Sequence, residues 1–444
     1  MGQLFLGVDV GLSGVRAVVL DHLGRVVADA REPAPCDSIG IEGILVLVRR
    51  VVRKAFGGID GGAIGAMSLC AFGPAPVALT AEGDVADRVG MFTASAPAME
   101  GGDDLAARIV AARTARPEAW AGASRMCDLT GYLVYRLTGV LAMDSATAAD
   151  FSQLDVADLP DLPSVVPPAA MCGGLTAAEA QAMGLPKGLP IAVGCYDSNA
   201  DLAACGFGPG RPACIVLGST LVLGRLTLAP LADDALRSVR HVGDGWFSGG
   251  WTNFAGAALD LVDRWIRPDY DAGDRAGRDR CRPIVLPHFL GERAPLWDHW
   301  ASGAILGLTP ETSPADLHTA FREGVALSAL DLANRLSLHL GPAEGWIVTG
   351  GGTRNTALVQ DFADALGASI EVPAAADRSV GPAALAALAA GAPLSFPVVA
   401  RMTPRPARAA RFQRRLHLYR RAQAALVPLF RDLRDDGIGK GDCL

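Results

Sequence analysis

The sequence predicts an α/β protein built from two similar halves. Three short apolar runs, separated by turns rich in Gly, Asp and Ser, open the chain and are typical of a β-meander. A segment with apolar residues at helical spacing and a further apolar run follow, so the predicted order is β-β-β-α-β, a layered α/β arrangement. The strand–turn–strand pattern of the opening recurs near the middle of the chain, and 444 residues suffice for two domains.

The elements of the first half follow from the spacing of apolar residues and from the turn residues between them. The continuous apolar run AIGAMSLC, for example, is typical of a buried strand. In order, the sequence predicts strands over 3–9, 14–20 and 24–30, a helix over 41–56, a strand over 63–70, helices over 103–114 and 125–137, and a loop rich in Pro and Asp over 154–170.

The second half begins with the same chemistry as the first. LPIAVGCYDSNADLAACGFG predicts a strand, a turn and a helix, and ACIVLGSTLVLGRLTL predicts a strand, a Gly/Ser/Thr turn and a strand. The matched copies are VDVGLSGVRAVVL and IVLGSTLVLGRL. Because Gly and Pro cluster in FGPGRP, we place the domain boundary near residue 208. The predicted domains are therefore 1–208 and 209–434, followed by a tail over 435–444.

Helices are predicted for most of the remaining chain. The basic face of the last helix is expected to be solvated, and docking on a membrane surface is the alternative. The expected elements are a long amphipathic helix over 314–339, a strand, Gly-rich turn and helix over 345–367, an Ala-rich helix over 379–391 and an amphipathic helix over 412–433.

Composition argues against several classes of function. The net charge of -7 and the isoelectric point near 5.5 argue against a nucleic-acid partner, because a phosphate backbone requires a clustered excess of Lys and Arg. No apolar run reaches about 18 residues without a charge, so no membrane span is expected. The nine cysteines are spaced singly, and we expect them to be reduced and buried. With no signal peptide visible, the sequence predicts a soluble cytoplasmic protein.

Three Gly-rich turns follow apolar strands, at Gly11–Gly14, Gly218–Thr220 and Gly350–Gly352. Glycine allows successive backbone N–H groups to converge on an anion, and Ser and Thr hydroxyls add donors. Any one of these turns alone is more simply an ordinary hairpin. Three of them in two repeated halves favour a phosphate site.

Two carboxylates stand at the ends of predicted strands. Asp9 ends the first strand, where a charge is costly unless a cation such as hydrated Mg2+ compensates it; a turn-capping role is the alternative. Asp197 lies in VGCYDSNA between a strand and a helix. It is either a helix N-cap or a general base that takes a proton from an attacking hydroxyl.

Five segments in order resemble the motifs of the FGGY carbohydrate kinases. They are D-x-G-x-S-G-x-R-A, G-x-x-D-x-x-A, L-G-S-T, G-E-R-x-P-x-W-D and T-G-G-G-x-x-N, with the connectors LTGYLVYRLTG and GAILGLTP between them. The family includes xylulokinase-like and glycerol kinase-like enzymes of the actin-like ATPase superfamily. The resemblance covers nearly the whole chain. It implies two duplicated actin-like (ribonuclease H-like) domains with a cleft between them, the first on the sugar side and the second on the nucleotide side.

The resemblance also implies cofactors and a role for each matching residue. The cofactors are ATP and Mg2+, with Asp9 holding the Mg2+ region through water. Asp197 would be the catalytic base and contact the sugar. The residues implied to bind the nucleotide are Gly11, Ser13, Gly14 and Arg16 around the phosphates, Gly218, Ser219 and Thr220 facing them from the second domain, and Gly351 and Asn355 beside the adenosine.

The chain departs from the family pattern at several positions. Leu12 stands where the family usually has Thr or Ser, so one phosphate-facing hydroxyl is absent. SLCAFGPAP and MFTASAPA replace segments that carry polar sugar contacts in the family, which suggests a smaller, deoxygenated or modified sugar. Phe72 in the first segment and Trp251 in GGWTNFAG are the candidate sugar-contacting residues. Glu292 and Arg293 either orient the cleft loop or pair with each other at the surface.

The sequence therefore predicts ATP-dependent phosphorylation of a hydroxyl on a small sugar or polyol. Two alternatives stay open: an actin-like ATPase without sugar transfer, and a catalytically weak sensor that binds sugar or nucleotide. The expected partner is the small-molecule substrate, with no nucleic acid and no membrane. A homodimer is an expectation from the family alone.

Overall fold

The computed structural model of the chain describes residues 3–90, 105–152, 154, 156–205, 213–241, 245–266, 282–374, 376, 380–392, 394 and 396–435. The boundary predicted near residue 208, the segment MFTASAPA and the predicted tail lie outside these residues, apart from the end of the last helix. The division into 1–208 and 209–434 stays a prediction.

The first half contains a six-stranded sheet with the order β10-β11-β4-β1-β2-β3 and a smaller sheet with the order β6-β5-β7. Its elements are β1 (Leu4–Gly11), β2 (Gly14–Leu20), β3 (Val26–Pro33), α1 (Ile41–Ala55), β4 (Ile64–Ala71), β5 (Pro76–Leu79), β6 (Val85–Arg88), α2 (Leu105–Ala115), α3 (Pro117–Ala121), β7 (Arg125–Asp128), α4 (Leu129–Thr138), β8 (Ala142–Asp144), α5 (Ser145–Ser152), β9 (Ser164–Val166), β10 (Met171–Gly174), α6 (Ala177–Met183), β11 (Pro190–Tyr196) and α7 (Asp197–Ala204). A short 3-10 helix, Gly61–Ala63, precedes β4.

The second half contains a seven-stranded sheet with the order β14-β15-β13-β12-β18-β19-β20. Its elements are β12 (Ala213–Leu217), β13 (Leu221–Thr227), β14 (Arg237–Arg240), β15 (Trp246–Thr252), α8 (Gly256–Trp265), β16 (Ile284–Leu286), β17 (Ala304–Leu306), α9 (Pro314–Leu340), β18 (Gly345–Thr349), α10 (Thr356–Leu366), β19 (Ser369–Pro373), α11 (Gly381–Ala389), β20 (Val398–Met402) and α12 (Pro406–Asp435). A 3-10 helix, Gly351–Arg354, follows β18.

The two sheets share one topology, which confirms the predicted duplication. In the first sheet, β1 pairs antiparallel with β2 and parallel with β4, while β3 and β11 extend the two sides. In the second sheet, β12 pairs antiparallel with β13 and parallel with β18, while β15 and β19 extend the two sides. Both halves are thus an antiparallel meander continued by parallel strands, an arrangement that requires helical crossovers.

One helix of each half, α7 of the first and α11 of the second, packs against the sheet of the other half. Helix α11 lies between β19 and β20 of the second half in the chain, but its Ala386 and Ala387 pack on Phe5 and Ala66 of the first sheet. Gly7 of β1 lies directly under α11, because a Cβ atom there would be 2.2 Å from the backbone nitrogen of Ala383.

Helix α7 follows β11, a strand of the first sheet, but its Leu202 joins a buried cluster with Cys214, Val216 and Val222 of the second sheet. The two helices also pack on each other through Ala200 and Ala384. A core of exchanged helices therefore joins the two halves.

Two of the predicted elements needed correction. Residues 125–137 were expected to be one helix, but Arg125–Asp128 forms β7 because it pairs with β5 across the small sheet. The predicted loop over 154–170 contains the strand β9, which pairs with β8. Both strands are fixed by partners distant in sequence, and local periodicity carries no information about such pairing.

The basic face of α12 is paired with carboxylates rather than only solvated. Arg408 lies 3.1 Å from Glu323 of α9 and 3.2 Å from Asp361 of α10, and Arg420 lies 2.5 Å from Asp331. The arginines thus dock α12 on the second half. None of the helices in the described part of the chain combines the length and the hydropathy needed to span a bilayer.

The cysteines differ from expectation at one pair. Cys205 at the end of α7 and Cys214 at the start of β12 form a disulfide, with Cα atoms 6.4 Å apart. Their nine-residue separation does not reveal this proximity, which follows from the packing of α7 on the second sheet. Five others are free and buried, as predicted: Cys36, Cys70, Cys127, Cys172 and Cys195. Cys281 and Cys443 lie outside the described residues.

Candidate active site

Parallel pairing of three strands brings Asp9 and Asp197 to the same end of the first sheet. Asp9 of β1 lies opposite Cys70 of β4, and Cys70 lies opposite Cys195 of β11. Asp197 comes two residues after Cys195, as the first residue of α7. Both aspartates are half-buried, and the Cys70 thiol donates a hydrogen bond to Asp9 Oδ1 over 3.5 Å.

The environment of Asp197 favours its protonated form. Burial raises the pKa of Asp197 to about 7, and the negative charge of Asp9 adds to this rise. The Ser198 N–H donates to Asp197 Oδ1 over 2.7 Å and lowers the pKa, but it does not cancel the other two effects. A carboxylate that titrates near neutral pH is well suited to accept a proton from an alcohol.

Asp201 is a third carboxylate at this site, and the sequence analysis missed it. It lies four residues after Asp197 in α7, so the two side chains share a helix face. Burial and the charges of Asp9 and Asp197 raise the pKa of Asp201 well above its ordinary value, while Arg16 lowers it. The i, i+4 spacing in DSNAD was the signal available in the sequence.

Arg16 places a positive charge beside these acids. It lies directly opposite Asp9 in the β1–β2 ladder, and its charge acts on Asp201. Three carboxyl groups close together beside one arginine are costly to ionise, as the raised pKa values of Asp197 and Asp201 reflect. Such a site favours a bound cation, because like charges held together are costly unless they are compensated.

The described residues contain no cluster of three or more His, Cys, Asp or Glu side chains arranged to hold a metal ion directly. Full coordination by protein side chains is therefore not what this site provides. A hydrated cation, which keeps most of its water ligands and contacts one or two carboxylates, fits the arrangement of Asp9 and its neighbours.

Tyr196, the residue before Asp197, shares a hydrogen bond with Asp150 of α5. Burial raises the pKa of Asp150 to about 6, and a hydrogen bond with Tyr196 opposes the rise. Gly73 packs against Tyr196, because a Cβ atom at residue 73 would lie 2.6 Å from Tyr196 Cβ. Sequence analysis did not identify Asp150, which is distant in the chain and part of no recognisable motif.

The first Gly-rich turn joins β1 and β2 next to Asp9. Its carbonyl groups are used within the protein: Leu12 O accepts from the Cys36 N–H over 3.0 Å, and Ser13 O accepts from the Ala34 N–H over 3.2 Å. Gly11 and Gly14 pair across the turn. Leu12 is 38% exposed and Ser13 is also exposed, so this turn presents an apolar side chain beside a hydroxyl.

The second and third Gly-rich turns lie side by side. Position 350 accepts only glycine, because a Cβ atom there would lie 2.4 Å from the carbonyl oxygen of Leu217, the residue before Gly218. Ser219 and Gly351 are exposed, and Thr220 is half-buried. Asn355 caps α10, with its side chain accepting from the Leu358 N–H over 3.0 Å. Two of the three predicted phosphate turns thus share one edge of the second sheet.

The two candidate sugar-contacting residues lie in different surroundings. Phe72 is 2% exposed and belongs to the core of the first half, so its ring offers little surface to a ligand. Trp251 is half-buried beside the cluster that joins α7 to the second sheet. Of the pair, Trp251 is the one that lies where the halves meet.

Glu292 is buried rather than paired with Arg293 at the surface. Its carboxylate accepts from the backbone N–H groups of Asn253 and Arg293 over 3.1 and 2.9 Å. His288 Nδ1 lies 2.8 Å from its other oxygen. Of the two alternatives drawn from the sequence, this geometry matches the one in which Glu292 orients a loop.

Comparison with known proteins gives matches over both halves. A model of the C-terminal domain of the FGGY family of carbohydrate kinases matches residues 214–390. A glycerol kinase of Alkalilimnicola ehrlichii is 28% identical over 320 residues, which cover 62% of this chain and 61% of that protein. The chain thus spans about three fifths of the length of that relative. The xylulose kinase of Escherichia coli is 25% identical, with 96% of this chain and 100% of that protein covered.

Solved structures share the fold at lower identity. The xylulose kinase from Rhodospirillum rubrum superposes with a TM-score of 0.80 and 22% identity, covering 97% of this chain and 100% of that one. The glycerol kinase of Plasmodium falciparum, solved with ADP, superposes with a TM-score of 0.75 and 16% identity over 95% of this chain and 98% of that one. These likenesses confirm the predicted fold of two duplicated actin-like domains.

Proposed function

Because the chain belongs to the FGGY family of carbohydrate kinases, we propose that it transfers the γ-phosphoryl group of ATP to a hydroxyl of a small sugar or polyol. The observation that carries the proposal is Asp197, a half-buried carboxylate at the start of α7 with a pKa of about 7 beside Asp9. Phosphoryl transfer needs little covalent participation by the protein. The main requirements of the reaction are a positioned base and groups that bind the phosphates.

In this proposal Asp197 accepts the proton of the acceptor hydroxyl as the hydroxyl oxygen bonds to the γ-phosphorus. The bond from that phosphorus to the bridging oxygen breaks, and ADP leaves. Tyr196 precedes Asp197 in the chain and contacts Asp150 and Gly73, and Trp251 packs against the cluster that joins α7 to the second sheet. These residues are our candidates for orienting the acceptor and excluding water, which would otherwise compete as nucleophile.

The nucleotide is proposed to bind mainly through backbone groups of the Gly-rich turns. Gly218, Ser219 and Thr220 would face the phosphates from the second half, with Gly351 and Asn355 beside the adenosine. The proximity of the Gly350–Gly352 turn to Leu217 supports a single nucleotide site at this edge. From the first half, Gly11, Ser13, Gly14 and Arg16 would approach the same phosphates.

The excess of carboxylates over cations around Asp9 is compatible with Mg2+ bound with ATP. Asp9 would hold the hydrated ion through water, and Arg16 would share the task of balancing phosphate charge. When bound, the ion neutralises charge on the phosphate oxygens. Asp9 also sustains the raised pKa of Asp197, which ties the base to the charge of its neighbour.

A coupled assay of ADP release tests the proposal. The purified protein is incubated with Mg-ATP and, in turn, with pentuloses, hexuloses, polyols and deoxy sugars, and products are identified by mass spectrometry. Release of ADP that depends on one acceptor, with a phosphorylated product, supports the kinase. ADP release independent of any acceptor indicates an ATPase, and saturable binding without product indicates a sensor.

A further inference from the structure

We propose that Glu292 is a positioning residue for the Gly218–Thr220 turn, acting through the segment 251–256. The inference rests on the proposed function, because it treats this turn as part of the nucleotide site. Glu292 is distant in sequence from the turn and is 3% exposed, so any influence on a ligand must pass through its neighbours.

The first link joins Glu292 to the segment that follows β15. Glu292 Oε1 accepts from the Asn253 N–H, and Asn253 Nδ2 donates to the carbonyl oxygen of Leu290 over 3.0 Å. Arg293 Nη2 donates to the carbonyl oxygen of Thr252 over 3.0 Å. These bonds, together with one between the Ala294 N–H and Trp251 O, fasten residues 251–253 to the loop that carries Glu292.

The second link joins that segment to the turn. The Ala255 N–H donates to Ser219 O over 2.7 Å, and the Gly256 N–H donates to Gly218 O over 3.0 Å. The fit is close, because a Cβ atom at residue 256 would lie 2.5 Å from the Gly218 oxygen. The start of α8 and the turn therefore cannot shift independently.

The direction of these bonds matters for an anion. Because the start of α8 binds the carbonyl oxygens of Gly218 and Ser219, those oxygens point toward the protein. A carbonyl oxygen facing a phosphate would repel it, whereas backbone N–H groups and hydroxyls attract it. Holding the carbonyls on the α8 side thus keeps the opposite side of the turn favourable to phosphate.

His288 completes the arrangement at the other oxygen of Glu292. Its Nδ1 lies 2.8 Å from Glu292 Oε2, and both side chains are 1% exposed. Its Nε2 is buried and has no hydrogen-bond partner among the described residues. The His288–Glu292 pair therefore holds the carboxylate in one orientation, with the remaining oxygen aimed at the two backbone N–H groups.

The test is calorimetric binding of Mg-ATP to the full-length protein and its variants. For Glu292→Ala we expect affinity to fall about tenfold or more, because two backbone donors lose a charged acceptor. Glu292→Gln keeps one acceptor oxygen and should restore most of the affinity. Gly256→Ala alters the same link directly and should also weaken binding.

Glu323→Ala is the matched control. Glu323 is equally buried in the same half and pairs with Arg282, Arg408 and Arg415, away from the turn. An affinity loss in Glu292→Ala and Gly256→Ala, with Glu323→Ala close to wild type, supports the inference. Wild-type affinity in Gly256→Ala, or an equal loss in Glu323→Ala, would overturn it. If the wild-type protein itself does not bind Mg-ATP, the proposed function is what fails.

Discussion

Asp9 and Asp197 lie at the carboxyl ends of two strands of the first sheet, and both burial and the negative charge of Asp9 raise the pKa of Asp197. The two residues are 188 positions apart in the chain and are brought together by parallel pairing of β1 with β4 and of β4 with β11. This relationship predicts how turnover and stability depend on pH and on each of the two carboxyl groups.

Replacing Asp197 should separate catalysis from nucleotide binding. In Asp197→Ala the acceptor hydroxyl has no base, so turnover should fall by roughly 10²–10⁴-fold while Mg-ATP binding stays within about twofold. The measurement is product formation with the acceptor found in the screen, alongside calorimetry with Mg-ATP. Asp260→Asn, an exposed position on α8, is the control and should keep wild-type turnover. Unchanged turnover in Asp197→Ala contradicts the base assignment.

The pH profile should report the Asp9–Asp197 relationship. A base must be unprotonated, so turnover is expected to rise with pH to a plateau, with a midpoint near the pKa of about 7. Asp9→Asn removes a negative charge and should move that midpoint to lower pH, even as the absolute rate falls. A midpoint that does not move in Asp9→Asn would show that the two carboxylates are not electrostatically linked.

Stability should depend on pH through the same group. The folded-state pKa of Asp197 is raised to about 7, so the folded protein holds a proton that the unfolded chain releases above about 4. The stabilising contribution of this proton is full below pH 4 and is lost as pH rises through 7. Asp197→Asn removes the titration, so its Tm should exceed that of wild type at pH 8 and match it at pH 4. Equal differences at both pH values would contradict the linkage.

Restoring a hydroxyl at position 12 tests whether the first Gly-rich turn contacts the phosphates of ATP. In Leu12→Thr the exposed turn regains a hydroxyl donor next to Ser13, and the KM for Mg-ATP should fall about three- to tenfold, as one added hydrogen bond allows. Leu12→Ala removes the same apolar side chain without adding a donor and controls for steric relief. If Leu12→Ala improves KM equally, the hydroxyl is not the cause.

Gly7 tests the packing of α11 on β1. A methyl group there would meet the backbone of Ala383 at 2.2 Å, so Gly7→Ala must displace the helix and should cost about 1–3 kcal/mol of stability, measured as the free energy of unfolding in urea. Gly43→Ala is the control, since its Cβ would meet Ile39 at an ordinary 3.5 Å within α1. Helix propensity makes that change neutral or stabilising. Similar losses in both variants would argue against a close α11–β1 contact.

Much of the fold was predictable because it follows from the local spacing of apolar and turn-forming residues. The alternating and continuous apolar runs gave the meander of β1–β3 and the repeated hairpin β12–β13 to within a few residues. Arg125–Asp128 was misassigned because its strand character comes from pairing with β5, a contact that local periodicity does not encode.

The candidate site was predictable in part for the same reason. Asp9 lies near the end of β1 and Asp197 directly follows β11; both strands end on the same side of the sheet, and both are recognisable in the sequence. Asp201 was missed because its proximity to Asp197 depends on a shared helix face, and Asp150 because it reaches Tyr196 from a distant helix, α5. The surroundings of Glu292 were also undecided, since nothing local distinguishes a buried carboxylate from one paired at the surface.

The exchange of α7 and α11 has a consequence for how this protein can be divided. A cut in the linker between α7 and β12 would leave the first fragment without the helix that covers Phe5 and Ala66, and the second without the helix that covers Val216 and Val222. Each fragment would then expose an apolar face of its sheet to water and would aggregate or bind the other fragment. The two halves thus repeat one topology, but they are expected to fold together as a single unit.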